Sequence, residues 1–313
     1  MNISPDPSRW TGCLLGLAVG DALGAPLEFH SRDRLKPITG MIEGGKFRMR
    51  QGEWTDDTAM ALCLADSLIA CDGFDAADQM ARYWRWAEEG ENSTRPRAFG
   101  IGKTVAGALA RYQQSGSPWC GSESSASSGN GSLMRLAPIP MRYAGSVMLG
   151  EYAELSSQTT HASSLCVSAS RLMSQLISNA LLGATDKTAW LMSVPSEVHA
   201  PSLINALAEG EYRVKERVDI FGSGYVVESL EAALWCLWQT ESFEDAVLMA
   251  ANLGDDADTT AAITGQLAGA FYGVASIPDA WLEVLHQKQR IQGTAQQLYK
   301  AYCFDASLAV PNK

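Results

Sequence analysis

Clusters of basic residues are missing from this chain. Its 313 residues include 24 lysines and arginines against 35 aspartates and glutamates, which gives a formal net charge of −11. Proteins that bind nucleic acid use clustered positive charge to neutralise phosphates. Nucleic acid is therefore not an expected partner, whereas a few local groups could still hold a small phosphorylated ligand.

Paired cysteines and clustered histidines are also missing. The seven cysteines are scattered at positions 13, 63, 71, 120, 166, 236 and 303, without a Cys-x-x-Cys pair. Most of them lie in apolar runs with helical spacing, which predicts reduced, buried cysteines and a cytoplasmic protein. The four histidines, at positions 30, 161, 199 and 286, are spread too thinly for a zinc site built from histidine.

Membrane segments are not expected either. Residues 1–10 are polar and rich in proline, unlike a signal peptide. No apolar run is expected to approach the roughly 20 residues that a transmembrane helix needs. Hydrophobic residues make up 46% of the chain and charged residues 19%, a composition that is typical of a globular protein and excludes a mainly disordered one.

The apolar residues recur mainly with helical spacing. Five segments show this pattern, at 10–24, 58–71, 164–182, 225–239 and 259–274. Residues 45–54 could form a short hairpin, but nothing indicates a large sheet. The sequence therefore predicts an all-α fold of about ten helices in a single domain over residues 1–313.

Two acidic clusters each precede an apolar helix. The first is Thr55-Asp56-Asp57-Thr58 and the second is residues 254–260, Gly-Asp-Asp-Ala-Asp-Thr-Thr. Helix capping is one explanation, because threonine and aspartate are preferred N-caps and carboxylates complement the helix dipole. Capping needs one side chain per helix, however, so several carboxylates beside hydroxyls favour a cation site. An all-oxygen set suits Mg²⁺ or Mn²⁺ and carries enough charge for two such ions.

The segment 115–132 is rich in serine and glycine. Composition alone favours a flexible loop or linker. The segment ends in Gly129-Asn130-Gly131-Ser132, with an apolar helix start expected directly afterwards. Such a position makes a functional loop an equally good interpretation, because glycine-rich loops at helix starts can bind anions.

Taken in order, these motifs resemble a known family. Residues 12–29, 55–58, 129–135, 160–161 and 254–260 are similar to the ADP-ribosylglycohydrolases, especially the dinitrogenase-reductase-activating type. The resemblance extends from about residue 10 to about residue 290. It implies an orthogonal multi-helix bundle that binds two Mg²⁺ or Mn²⁺ ions in a central cleft and hydrolyses ADP-ribose from modified side chains.

The resemblance also assigns residue roles. It implies catalytic roles for Glu28, Asp57 and Asp256, with Glu28 as a general base, an outer metal contact or a gate over the cleft. The implied metal ligands are Thr55, Asp56, Asp57, Asp256, Asp258 and Thr259. The implied nucleotide contacts are Gly129, Asn130, Gly131, Ser132, Met134, His161 and Tyr225. Tyr225 could equally fill the core, and Arg135 could contact phosphate or form a structural ion pair.

The sequence departs from the family pattern at two places. Asp255 stands where the family usually has a second glycine. Residues 100–104 read Gly-Ile-Gly-Lys-Thr where the family tends to carry Asp-x-Gly-Asn-Thr. We expect this altered loop to face the substrate rather than the ions.

These features predict a dinuclear-metal-dependent hydrolase that acts as a monomer in the cytoplasm. Its predicted reaction removes ADP-ribose from a modified acceptor, N-linked ADP-ribosyl-arginine on protein. The two departures keep a second hypothesis open, in which an altered family member binds ADP-ribose, confers immunity or has a structural role. A third hypothesis is metal-dependent phosphoester hydrolysis, which would release AMP or phosphate instead of intact ADP-ribose.

Overall fold

The computed structural model describes residues 5–308, and within that range the protein is all-α. Its fourteen α-helices are α1 (Pro7–Gly24), α2 (Asp56–Ala70), α3 (Ala76–Glu89), α4 (Lys103–Ser115), α5 (Pro138–Tyr143), α6 (Leu149–Gln158), α7 (Ser164–Leu181), α8 (Lys187–Leu191), α9 (Ser202–Ala208), α10 (Val226–Gln239), α11 (Phe243–Ala251), α12 (Ala257–Tyr272), α13 (Asp279–Val284) and α14 (Lys288–Leu308). Ten of these helices have nine residues or more, and four short ones were not predicted. The all-α prediction is confirmed.

The five periodic segments of the sequence correspond to α1, α2, α7, α10 and α12, with ends within three residues of those predicted. The suggested hairpin at 45–54 is only a tight turn. Gly44 and Met49 exchange two backbone hydrogen bonds of 2.9 and 2.7 Å in an isolated bridge, and no strand extends from it.

Helices α1 and α12 pack together more closely than any ordinary side chain would allow. Four glycines recur at every fourth residue of α1 and face small residues of α12 in antiparallel order: Gly12, Gly16, Gly20 and Gly24 against Gly269, Gly265, Ala261 and Ala257. A methyl group built on Gly16 would lie 2.2 Å from the carbonyl oxygen of Gly265. The two backbones therefore touch, which places the end of α1 beside the start of α12.

This close packing makes the first helix a core element. The segment Pro7–Leu27 is long and apolar enough to span a membrane, contrary to the expectation from sequence. Its most apolar 18-residue window is entirely buried, and α1 packs against α12 and α14. Its place in the core accounts for its apolar composition.

All seven cysteines are free thiols. The prediction of buried cysteines holds for positions 13, 63, 120, 166 and 236. It is wrong for Cys71, which is exposed where α2 ends, and Cys303 on α14 is half-buried. Apolar neighbours in the sequence do not determine whether a residue at the end of a helix faces the core or the solvent.

Candidate active site

The two acidic clusters meet at the starts of α2 and α12. The hydroxyl of Thr259 donates to Asp57 Oδ1 at 3.3 Å, although the residues are 202 positions apart. Asp56 and Asp57 form the first turn of α2, and Asp258 lies in the first turn of α12. The fold therefore brings the two acidic motifs together.

Glu28 reaches this cluster through a backbone clamp after α1. The amide of Phe29 donates to the carbonyl of Asp255 at 2.7 Å, and the amide of Asp255 donates to the carbonyl of His30 at 2.8 Å. Carboxylate oxygens of Glu28, Asp256 and Asp258 consequently lie within 4.8 Å of one another. Glu28 is a half-buried member of the acidic cluster rather than a surface carboxylate.

Asp21 is a site residue that the sequence analysis missed. This fully buried carboxylate on α1 accepts hydrogen bonds from the backbone amides and hydroxyls of Thr55 and Thr58, at 2.6–3.1 Å. Asp21 therefore caps the start of α2 from the neighbouring helix α1. It also accepts the one hydrogen bond that the Thr55 hydroxyl can donate. The available signal was a single acidic residue inside an apolar, glycine-rich helix.

The carboxylates of the cluster resist ionisation in the metal-free protein. Burial first and the nearby charge of Asp256 second raise the pKa of Glu28 to about 8, against the opposite effects of a hydrogen bond with Asp258 and of the charge of Lys46. Burial raises the pKa of Asp21 to about 6, against the effect of its four hydrogen bonds. Burial first and neighbouring carboxylates second hold the pKa values of Asp56, Asp57 and Asp258 well above the ordinary range.

These residues fit hard divalent cations. The Oδ2 atom of Asp57 is buried and has no hydrogen-bond partner in the described part of the chain, so it is free to bind an ion. The donors are all oxygen atoms, and a positive charge would remove the repulsion between them. Asn130 donates to Asp256 Oδ2 at 2.6 Å and fixes the orientation of that carboxylate.

The acidic cluster forms one part of a large cleft of about 900 Å³. The loop 128–130 forms another part, since its backbone bonds to residues 224–226. The amide of Asn130 donates to the carbonyl of Gly224 at 3.1 Å, and the amide of Val226 donates to the carbonyl of Ser128 at 3.0 Å. This hydrogen-bonded loop is not a free linker. The helix expected directly after Ser132 begins only at Pro138, because residues 131–135 form turns.

Most of the residues predicted for the site line this cleft. Those at its wall are Glu28, Asp56, Gly129, Asn130, Gly131, Met134, His161, Asp256, Asp258 and Thr259. Four others are not at the wall. Thr55 and Asp57 are buried behind it, Ser132 is buried beside Ser170, and Tyr225 is half-buried at the start of α10. The cleft is also lined by residues that were not predicted for the site: Phe29, Lys46, Phe47, Val105 and Ser223.

All five residues of the altered segment 100–104 line the cleft. Gly100 adopts a positive φ of 82°, and a methyl group built on it would lie 2.2 Å from Asp56 Oδ1. The expectation that this loop faces the substrate rather than the ions is therefore wrong for Gly100, which packs directly on the acidic cluster. Sequence spacing could not reveal this contact because it joins two separate segments.

Asp255 occupies a backbone conformation that favours glycine. Its φ is +56° and that of Gly254 is +74°, both in the left-handed region. Asp255 is exposed at the mouth of the cleft, while its backbone forms the clamp with Phe29 and His30. Aspartate is among the few residues that tolerate this region, so the departure from glycine is accommodated.

Comparisons with known proteins identify relatives of this chain. The family model "ADP-ribosylglycohydrolase" matches residues 3–306. The chain is 44% identical to the ADP-ribosylarginine hydrolase Tri1 of Pseudomonas putida (strain GB-1), over 93% of this chain and 78% of that protein. It is 31% identical to the ADP-ribosyl-[dinitrogen reductase] glycohydrolase of Rhodospirillum rubrum, over 90% and 91% of the two chains.

A solved structure shares the fold as well. An "ADP-ribosylglycohydrolase-related protein complex" superposes with a TM-score of 0.85 and 39% identity, over 95% of this chain and 98% of that one. The match across almost the whole chain confirms the resemblance inferred from the motifs and the prediction of a glycohydrolase. The chain belongs to the ADP-ribosylglycohydrolase family.

Proposed function

We propose that this protein removes ADP-ribose from N-linked ADP-ribosyl-arginine in a reaction that depends on two divalent cations, Mg²⁺ or Mn²⁺. The observation that carries the proposal is the convergence of six buried or half-buried carboxylates at one cleft. Glu28, Asp56, Asp256 and Asp258 line it together with a glycine loop, and Asp21 and Asp57 are buried behind them. Relatives named as ADP-ribosylarginine hydrolases, at 42–44% identity, support arginine as the acceptor.

The cations would be held between α2 and α12. The proposed ligands are Thr55, Asp56, Asp57, Asp256, Asp258 and Thr259, and the position of Glu28 against Asp256 and Asp258 favours it as a further contact. The Thr55 hydroxyl donates to Asp21, so only a lone pair of its oxygen is available to an ion. When bound, such cations lower the pKa of a water molecule and orient the ribose hydroxyls nearest the scissile bond.

The nucleotide would lie along the opposite part of the cleft. Gly129 and Gly131 would allow the diphosphate to approach the backbone, with Asn130 and Ser132 continuing this loop. Met134 and His161 line the same region. Tyr225 is proposed near the adenine, supported only by the backbone bridge between Tyr225 and Gly129.

Glu28, Asp57 and Asp256 are proposed as the catalytic residues. In the reaction, a water oxygen bonds to C1″ of the ribose as the bond from C1″ to the guanidinium nitrogen breaks. Glu28, which lines the cleft, would accept the proton of the attacking water and pass it to the departing guanidine. Asp57 and Asp256 would stabilise positive charge that develops on the ribose, as carboxylates do in glycoside hydrolysis.

A hydrolysis panel tests the proposed reaction. Purified protein with Mg²⁺ is incubated with ADP-ribosyl-arginine, ADP-ribosyl-serine and ADP-ribosyl-guanine, and the products are identified by mass. We expect intact ADP-ribose from the arginine substrate. Release of AMP or phosphate would instead indicate phosphoester hydrolysis. Tight ADP-ribose binding without release from any substrate would indicate the binding, immunity or structural role, which the exposed Asp255 and the altered 100–104 segment motivate.

Three broader properties remain proposals. A single domain over residues 1–313 is supported by the family match from residue 3 to 306 and by the packing of α1 against α12 and α14. Free thiols at all seven cysteines are compatible with the cytoplasm. An ADP-ribosylated protein substrate is proposed by analogy with the relative named for dinitrogen reductase, and the monomeric state stays a prediction.

A further inference from the structure

Arg135 is a buried cation without a carboxylate partner. Arg135 is 1% exposed, and among residues 5–308 no aspartate or glutamate forms an ion pair with it. The sequence predicts either a phosphate contact or a structural ion pair for Arg135. Its guanidinium instead lies 4.6 Å from the ring of Tyr83, and its Nε and Nη1 atoms have no hydrogen-bond partner within residues 5–308. The other titratable groups that act on it are Tyr83, Cys63 and Cys166, whose pKa values are all raised, so that they are neutral at pH 7.

The one short hydrogen bond of Arg135 leads towards the cleft. Its Nη2 atom donates to the Thr160 hydroxyl oxygen at 2.7 Å, and the same oxygen lies 2.8 Å from Nδ1 of His161. Arginine can only donate, so the Thr160 oxygen acts as an acceptor in the first contact. The Thr160 hydroxyl hydrogen then has one available acceptor, which is Nδ1 of His161.

This arrangement fixes the tautomer of His161. If Nδ1 carried the proton, the Thr160 oxygen would accept twice and its own buried hydrogen would have no partner, which is costly. With Nδ1 as the acceptor, the ring proton lies on Nε2. Burial and the charge of Arg135 lower the pKa of His161 to about 3, so the ring is also neutral.

The Nε2 atom of His161 faces the glycine loop. A methyl group built on Gly131 would lie 3.0 Å from Nε2 and 2.7 Å from Cε1, and one on Gly129 would lie 3.5 Å from Nε2. Among the described residues, no protein atom accepts a hydrogen bond from Nε2, although His161 lines the cleft. An N–H donor is thus aimed at the place where the proposed function puts a diphosphate.

We propose that Arg135 and Thr160 are positioning residues that hold His161 in its neutral Nε2–H form, as a fixed donor to a diphosphate oxygen at Gly129–Gly131. The inference rests on the proposed function for the identity of the ligand but not for the tautomer. In this proposal the charge of Arg135 orients the Thr160 hydroxyl and, through it, His161. An arginine held in a structural ion pair would not have this role. Thr160 is the link, because its hydroxyl joins the two side chains.

The tautomer can be measured directly in the free, Mg²⁺-loaded protein. Histidine labelled with ¹⁵N gives a long-range ¹H–¹⁵N spectrum, and a His161→Gln variant identifies the signals of His161 among the four histidines. We expect a protonated Nε2 and an unprotonated Nδ1 in the wild type. In Thr160→Val the preference should be lost, and in Thr160→Ser it should be retained. An Nδ1–H or doubly protonated His161 in the wild type would overturn the inference.

Calorimetric titration with ADP-ribose tests the consequence for binding. Thr160→Val should weaken binding roughly tenfold and Thr160→Ser by no more than about twofold, because serine keeps the hydroxyl. Arg135→Met should also weaken binding, and thermal melts show whether this variant folds. If it does not fold, the comparison of Thr160→Val with Thr160→Ser is the test. Thr240→Val is the matched control, since it removes another buried hydroxyl, which donates to the Cys236 carbonyl at the far end of α10.

The two sets of results separate this inference from the proposed function. Unchanged ADP-ribose affinity in a folded Thr160→Val variant would overturn the positioning role. A wild-type protein with the predicted tautomer that binds no ADP-ribose would overturn the proposed function and the ligand assigned to His161. A wild-type protein that binds ADP-ribose through a differently protonated His161 would overturn only the inference.

Discussion

Replacing Gly16 by alanine should destabilise the protein, although the same change usually stabilises a helix. In an unhindered helix interior, glycine to alanine adds up to about 1 kcal/mol of stability. At Gly16 the new methyl group would lie 2.2 Å from the carbonyl oxygen of Gly265 and 3.1 Å from a ring carbon of Phe243. Ordinary contact begins near 3.4 Å, so the backbone of α12 would have to retreat by about 1.2 Å.

The obstacle is backbone, which cannot rotate aside as a flexible side chain can. Overpacking of this kind costs about 1–3 kcal/mol, so we expect the free energy of unfolding to fall by about 2 kcal/mol. The matched control is Gly293→Ala in α14, where nothing lies within 4 Å of the new methyl group. That variant should be as stable as the wild type or more stable, by up to about 1 kcal/mol.

Urea unfolding followed by circular dichroism measures both variants. It should be run in EDTA, so that ion binding does not contribute to the measured stability. The packing argument predicts a lower midpoint for Gly16→Ala and an unchanged or higher midpoint for Gly293→Ala. Equal stability of the two variants would refute the claim that α1 and α12 touch along their backbones.

Three further predictions concern the acidic cluster. Asp57→Asn should raise the melting temperature in EDTA, because it removes one of several carboxylates that repel one another. The same variant should be stabilised less by Mn²⁺ than the wild type is, and unchanged stabilisation would show that Asp57 is not a ligand. The melting temperature of the metal-free wild type should fall as the pH rises from about 4 through about 8. The raised pKa of Glu28 means that the native state binds more protons than the unfolded chain over this range. A rise of the melting temperature over this range would contradict the pKa assignment. Gly100→Asp should weaken Mn²⁺ binding in a calorimetric titration, because its side chain would collide with Asp56 at a positive φ; unchanged affinity would show that Asp56 does not bind the ion.

Local patterns made the helices and the acidic motifs predictable. Apolar periodicity located α1, α2, α7, α10 and α12 to within three residues. Aspartates beside threonines at two helix starts indicated an oxygen-donor cation site, and the resemblance supplied the order of the motifs. These features depend on residues that are close together in the sequence.

Contacts between distant segments were not predictable in the same way. Asp21 caps α2 from α1, Gly100 packs against Asp56, and Arg135 has no acidic partner between residues 5 and 308. Each of these facts depends on how separate helices and loops are arranged, which periodicity does not encode. The glycines at every fourth residue of α1 carried a readable signal for close helix packing, but only the structure identifies α12 as the partner.

The most direct test of the central claim is a metal titration of hydrolysis. Wild-type protein is stripped of metal with a chelator and incubated with ADP-ribosyl-arginine, and the release of intact ADP-ribose is followed as Mn²⁺ or Mg²⁺ is restored. If the carboxylates of α2 and α12 hold the cations that the reaction needs, release should be absent from the stripped protein and should return with the added ion. Full turnover by the metal-free protein would contradict the account.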